Sequence, residues 1–90
     1  MQHAKMKKVI WRAKASKQFL KLPRYDRDAV IGKIDLLASG ALNLDIKKLK
    51  GYDFYRLRVG TYRVIYQLID GEFCIVIIGV GHRKQVYDDL

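Results

Sequence analysis

The residues best suited to handling a polyanion fall in the last third of the chain. Arg56, Arg58 and Arg63 lie in Tyr55-Arg56-Leu57-Arg58-Val59-Gly60-Thr61-Tyr62-Arg63-Val64-Ile65-Tyr66. His82, Arg83 and Lys84 lie in Gly79-Val80-Gly81-His82-Arg83-Lys84-Gln85-Val86-Tyr87. In the first segment each cation alternates with an apolar or aromatic neighbour, the pattern of a strand with one charged face and one greasy face. A folded protein gains little from crowding like charges, so a bound polyanion is the natural reason for the cluster. Arginine adds a planar fork of donors that fits phosphate. Tyr87 stands four residues beyond Arg83 in a polar tail with little to pack against.

A hairpin must position these side chains. With Gly60-Thr61 as a two-residue turn, Arg58 faces Arg63, Leu57 faces Val64 and Arg56 faces Ile65. Arg56, Arg58 and Arg63 then share one face, and Tyr55, Leu57, Val59, Tyr62, Val64 and Tyr66 share the other. These tyrosines, and Tyr52, read as core or edge packing. A second turn at Asp70-Gly71 sets Arg63 opposite Ile78. Parity then carries His82 onto the arginine face, provided no bulge intervenes.

The remaining elements supply the support. Lys7 to Arg12 reads as a short strand. Ser16 is a plausible cap for a short helix through Phe19, Leu20 and Leu22, stopped by Pro23. A second helix places Val30, Ile34 and Leu37 on one stripe, widened by Ala29, Ile31 and Ala38. Gly40 sits where a left-handed helix end wants glycine. Residues 41–51 read as a linker whose Leu44, Ile46 and Leu49 tack it to the core while Lys47, Lys48 and Lys50 face solvent. Strands follow at about 54–59, 62–69 and 72–80. The third is apolar on both faces through Phe73-Cys74-Ile75-Val76-Ile77-Ile78, so it belongs inside the sheet. The expected fold is α+β: an N-terminal strand, a two-helix hairpin, then an antiparallel three-stranded meander. It makes one four-stranded sheet with the helices packed on one face.

The 90 residues suit a single domain, 1–90, with one modest core. The formal net charge is +9 and the sequence pI near 9.9. That excess attracts phosphate backbones or anionic surfaces. It is unevenly spread: residues 1–50 hold 13 lysines and arginines against 4 acids, and residues 51–90 hold 5 against 5. No apolar run is long enough for a membrane span and no signal segment opens the chain, so a cytoplasmic protein without a membrane role is expected. Cys74, the one cysteine, reads as a buried reduced thiol. His3 carries no signal. The histidines, cysteine and acids show no metal-ligand spacing, and no glycine-rich phosphate loop is present, so the expected chemistry uses neither metal nor cofactor.

Leu49-Lys50-Gly51, the Tyr55 to Tyr66 segment and Gly81-His82-Arg83-Lys84-Gln85-Val86-Tyr87 together resemble the RelE/ParE superfamily of bacterial and archaeal toxins. The resemblance covers essentially the whole chain, and the order of elements agrees. For the RelE branch it implies a ribosome-dependent endoribonuclease acting on messenger RNA. There the 2′-hydroxyl attacks the adjacent phosphorus and the 5′-oxygen leaves, giving a 2′,3′-cyclic phosphate. By this resemblance Arg63 and Arg83 would hold phosphoryl oxygens, Arg56 and Arg58 would position backbone, and Tyr87 would stack on a base. Lys47, Lys48, Lys50 and Lys84 would add RNA contacts.

One departure from the family pattern matters. Arg56 and Arg58 stand where the RelE type has lysines, and arginine effectively cannot give up its proton. His82 becomes the best proton carrier, with Tyr87 second. The implied partners are the ribosome with its messenger, a cognate antitoxin with an acidic binding segment, and operator DNA through that antitoxin. Two alternatives remain open here: a ParE-like inhibitor of DNA gyrase, and a catalytically weak module acting through antitoxin and operator binding.

Overall fold

The computed structural model describes residues 6–71 and 73–82. The elements run β1 (Lys8–Trp11), α1 (Ala13–Leu20), α2 (Arg24–Ala38), β2 (Ile46–Lys48), β3 (Tyr55–Val59), β4 (Tyr62–Ile69) and β5 (Cys74–His82). They form one five-stranded sheet in the order β1-β5-β4-β3-β2. The meander is antiparallel, whereas β1 pairs parallel with β5, with Lys8 beside Cys74 and Trp11 beside Ile77. As expected, β5 has a strand on each side.

The fold class is as read from the sequence, with one strand more. The segment read as a linker contributes β2, where Ile46, Lys47 and Lys48 pair with Leu57, Arg56 and Tyr55. Three residues exposed throughout leave too little alternation to signal a strand. Leu44 packs against the core, whereas Ile46 is largely exposed at the sheet edge.

The helices pack on one sheet face. Ala15 of α1 and Val30, Ile34, Leu37 and Ala38 of α2 meet Leu57, Val59, Val64, Tyr66, Ile75, Ile77 and Val80. Ala29 and Ile31 lie outside this stripe and are exposed, because α2 meets the sheet along the narrower Val30–Ile34–Leu37 line. The first helix begins a turn earlier than a Ser16 cap would allow. The extended residue Arg12 is its N-cap, and the Ser16 N–H donates to the Arg12 carbonyl at 3.0 Å. Ala13, Lys14 and Ala15 are good helix formers, and Ala15 is fully buried, so packing draws that turn into the helix. Gly40 adopts φ 84° just past α2, the left-handed position expected of it. Among the described residues no helix is long and apolar enough to cross a membrane.

Candidate functional site

The β3–β4 hairpin follows the strand period without a break. Gly60 has φ 59° and Thr61 does not share the positive value, the signature of a two-residue turn with glycine first. Arg58 therefore stands opposite Arg63, Arg56 opposite Ile65, and Leu57 opposite Val64. The three arginines share the sheet face that the helices leave open. Leu57, Val59, Tyr62, Val64 and Tyr66 share the covered face and are buried.

The arginines are not equivalent. Arg56 pairs with Asp45, its Nη2 lying 2.6 Å from Oδ1, and only 13 % of its side chain is exposed. Its Nε is buried and lacks a partner among the described residues. Arg56 is thus a strut that ties β3 to the segment before β2. Arg58 is exposed, and its Nε donates to the Gly60 carbonyl at 3.3 Å, which folds it toward the turn. Arg63 is half-exposed. Direct opposition of two arginines costs up to about 1 kcal/mol, and no acid is paired with Arg58 or Arg63 among the described residues. Two arginines opposed across a hairpin, neither paired with an acid among the described residues, are suited to hold one phosphate.

Lys47, Lys48 and Lys50 are exposed, as expected. Lys47 lies opposite Arg56 and so on the arginine face, whereas Lys48, paired with Tyr55, lies on the other. Lys48 and Lys50 line a shallow depression with Tyr52 and Asp53.

The β4–β5 hairpin departs from the simple register, and His82 moves with it. Ile69 pairs with Cys74, so four residues close the turn where two were expected. That change alone keeps parity. A bulge then leaves Ile78 unpaired: Tyr66 faces Ile77, but Ile65 faces Gly79. Beyond it Arg63 faces Gly81, not Ile78, and His82 faces Tyr62. The expected placement of His82 on the arginine face is therefore corrected. It stands on the helix-covered face, at the same end of the sheet as the Gly60-Thr61 turn.

Two side chains that sequence reasoning passed over meet it there. The Tyr62 ring, read as core packing, stacks on the His82 ring with centroids 4.3 Å apart and planes at 29°. The Tyr62 hydroxyl donates to Asp26 Oδ2 at 3.0 Å. That hydrogen bond, with burial second, raises Tyr62 above the ordinary tyrosine range and keeps the hydroxyl a donor. Nothing in a lone Asp at position 26 announces a partner 36 residues away. A third residue of this kind is Gln18 of α1. β1 ends at Trp11, beside Ile77; among the described residues no strand pairs with β5 on that flank beyond it, and Gln18 Oε1 accepts the Val80 N–H at 2.9 Å.

Deeper in the covered face Tyr66 stacks on Tyr55, centroids 5.4 Å apart. Burial, and secondly Tyr55, push its hydroxyl up to about 12. Arg83, Lys84 and Tyr87 lie outside the described residues. Among the described residues no three His, Cys, Asp or Glu side chains are placed to hold a metal ion.

Known proteins share this fold. Residues 9–87 match the family model described as the ParE toxin of the type II toxin–antitoxin system parDE. The chain belongs to the RelE/ParE toxin superfamily. A relative named toxin RelE3, from Methanocaldococcus jannaschii, is 50% identical over 48 residues, 52% of each chain. The alignment thus spans about half the length of that curated relative. The archaeal RelE–RelB complex from Pyrococcus horikoshii contains a chain 27% identical, with TM-score 0.74, covering 89% of this chain and 98% of that one. In the RelB–RelE antitoxin–toxin complex from Methanococcus jannaschii the values are 34%, 0.70, 91% and 99%. The isolated Escherichia coli RelE toxin gives 28% and 0.67, covering 92% and 93%. The matching model carries the ParE name, whereas these relatives carry the RelE name.

Proposed function

We propose that this chain is the toxin of a type II toxin–antitoxin pair and acts as a RelE-like endoribonuclease on messenger RNA in the ribosome. The observation that carries the reading is the Arg58–Arg63 pair, two cations opposed across the hairpin on the face away from the helices, with no acid of the described residues paired to either. In the reaction the 2′-hydroxyl oxygen bonds to phosphorus and the phosphorus–5′-oxygen bond breaks. One proton leaves the 2′-hydroxyl and one reaches the 5′-oxygen. Negative charge builds on the phosphoryl oxygens, and fixed guanidinium groups aimed there stabilise it. Arg63 and Arg58 take that part, and Arg56, anchored by Asp45, holds β3 in place beneath them. Exposed Lys47, Lys48 and Lys50 attract RNA backbone.

Arg83, Lys84 and Tyr87 carry their family roles as part of the proposal: phosphate contact for the cations, base stacking for Tyr87. Proton movement falls to His82, since arginine cannot serve. It reaches the substrate from the rim, because it and the arginine pair share one end of the sheet on opposite faces. The reaction as proposed draws on side chains and needs neither metal nor cofactor. The partner proposed for regulation is an antitoxin, suited by the +9 charge to an acidic segment. Support comes from the relatives, which occur in complexes with RelB. Operator DNA would be bound through that antitoxin.

A second reading has its own observation: the family model that matches is the ParE toxin's. Under it the chain inhibits DNA gyrase and leaves messages whole. Inducing the protein in cells separates the two. Codon-phased messenger ends by primer extension support the nuclease; intact messages with induced DNA damage contradict it.

A further inference from the structure

We infer that Asp26 and Tyr62 are positioning residues that fix the His82 ring at the rim of the arginine pair. The inference rests on the nuclease reading, in which His82 moves a proton. The bulge at Ile78 does more than change parity, since it delivers His82 to Tyr62, an aromatic ring at that end of the sheet with an anchored hydroxyl.

The chain of contacts runs from helix to solvent. Asp26 sits in the first turn of α2, where a carboxylate suits the positive helix end. Its Oδ2 holds the Tyr62 hydroxyl, and Tyr62 is 9% exposed. The ring so fixed lies against His82, which is itself exposed. Left alone at a strand end, an exposed histidine samples several rotamers. A stacked ring whose far end is hydrogen-bonded removes much of that freedom and leaves the imidazole nitrogens open to a ligand. An anchor serving only to pin α2 to the sheet needs no exposed histidine on its outer face. The buried core that joins Val30, Ile34 and Leu37 of α2 to Leu57 and Val59 of β3 already does that work.

The positions also place the device at the proposed site. Tyr62 is the residue before Arg63, and His82 the residue after Gly81, Arg63's cross-strand partner. Rotation of the imidazole out of the stack would move it relative to Arg63 without altering the arginines. Asp26 and Tyr62 touch no substrate in this account and act through His82 alone.

A double-mutant cycle on translation-dependent messenger cleavage tests this, with the purified chain and ribosomes. Asp26→Asn and Tyr62→Phe each keep the size of the side chain and spare the core. Each is expected to slow cleavage about tenfold in the native background and to add nothing in a His82→Ala background. Equal slowing in both backgrounds means a structural role only and overturns the inference. The His82 ring resonances provide a readout that needs no cleavage. They are expected to shift and broaden in both variants, and unchanged ring signals overturn the positioning. If the native chain cuts no message, the nuclease reading fails, while the ring signals still decide whether Asp26 and Tyr62 hold His82.

Discussion

The hairpins β3–β4 and β4–β5 share a strand, yet only one obeys the strand period from end to end. In β3–β4 a two-residue glycine turn fixes every later pair, and the arginines fall on one face as alternation requires. In β4–β5 a longer turn and a bulge intervene, and the residues past Ile78 exchange faces. The first hairpin collects charge and the second delivers His82, the proposed proton carrier, to the opposite side of the same rim. A single extra residue thus decides which neighbours a histidine has. Register is a chemical property here as much as a structural one.

The sharpest break in that comparison removes the charge and leaves both registers intact. Arg63→Ala and Arg58→Ala should each lower messenger cleavage by about 100-fold or more, the range for loss of one group that stabilises developing charge. Thermal stability should hold or rise slightly as the like-charge opposition disappears. Cleavage rates beside melting curves check both parts.

Breaking the first register is expected to cost stability. Gly60→Ala meets no atom within 4 Å, so its penalty comes from φ 59° alone. A β-carbon in that region costs roughly 1–2 kcal/mol. Denaturant midpoints measure the loss, and a stability equal to that of the native chain would mean that the turn does not set the arginine pairing.

The second hairpin allows the opposite experiment. Deleting Ile78 removes the unpaired residue without changing the partners on either side, Tyr66 with Ile77 and Ile65 with Gly79. The prediction is a stability change of about 1 kcal/mol, within the common range for single changes. The Tyr62–His82 ring contact should survive in nuclear Overhauser spectra. A lost ring contact would show that Ile78 itself shapes the rim.

The smallest effect concerns Tyr66, which pairs with Tyr55 in one hairpin and Ile77 in the other. An unfolded tyrosine loses its proton near 10.0 and the folded Tyr66 near about 12. The folded chain therefore holds the proton more tightly, and the stability this gives is complete below pH 10 and drains away as the pH approaches 12. Native protein should lose more stability across that window than Tyr66→Phe, measured by denaturation at both ends. Equal losses would place the Tyr66 hydroxyl in water.

Much of this fold is legible in the residues, and the gaps have local causes. The Gly60-Thr61 turn, the Val30–Ile34–Leu37 stripe and the apolar strand ahead of Gly79 announce themselves because burial and alternation agree. Strand β2 does not, since three exposed residues earn their place only by pairing with β3. Ser16 misleads because a capping preference of about 1 kcal/mol yields to the burial of Ala15, which draws the preceding turn from Ala13 into the helix. In the candidate site the arginine face follows from parity alone. Nothing local specifies the bulge: it is a tertiary outcome, accompanied by Gln18 on Val80 and the contacts of Tyr62 with Asp26 and His82. A buried tyrosine with a distant acid leaves no spacing to read.

The central claim is that the Arg58–Arg63 pair stabilises a phosphoryl group during chain cleavage. The most direct measurement incubates programmed ribosomes and one defined messenger with the native chain and with Arg63→Ala, then identifies the new RNA ends. The account predicts codon-phased cuts carrying 2′,3′-cyclic phosphates for the native chain, and their loss with Arg63→Ala. Native-level cutting by Arg63→Ala, or no cutting by the native chain, would contradict it.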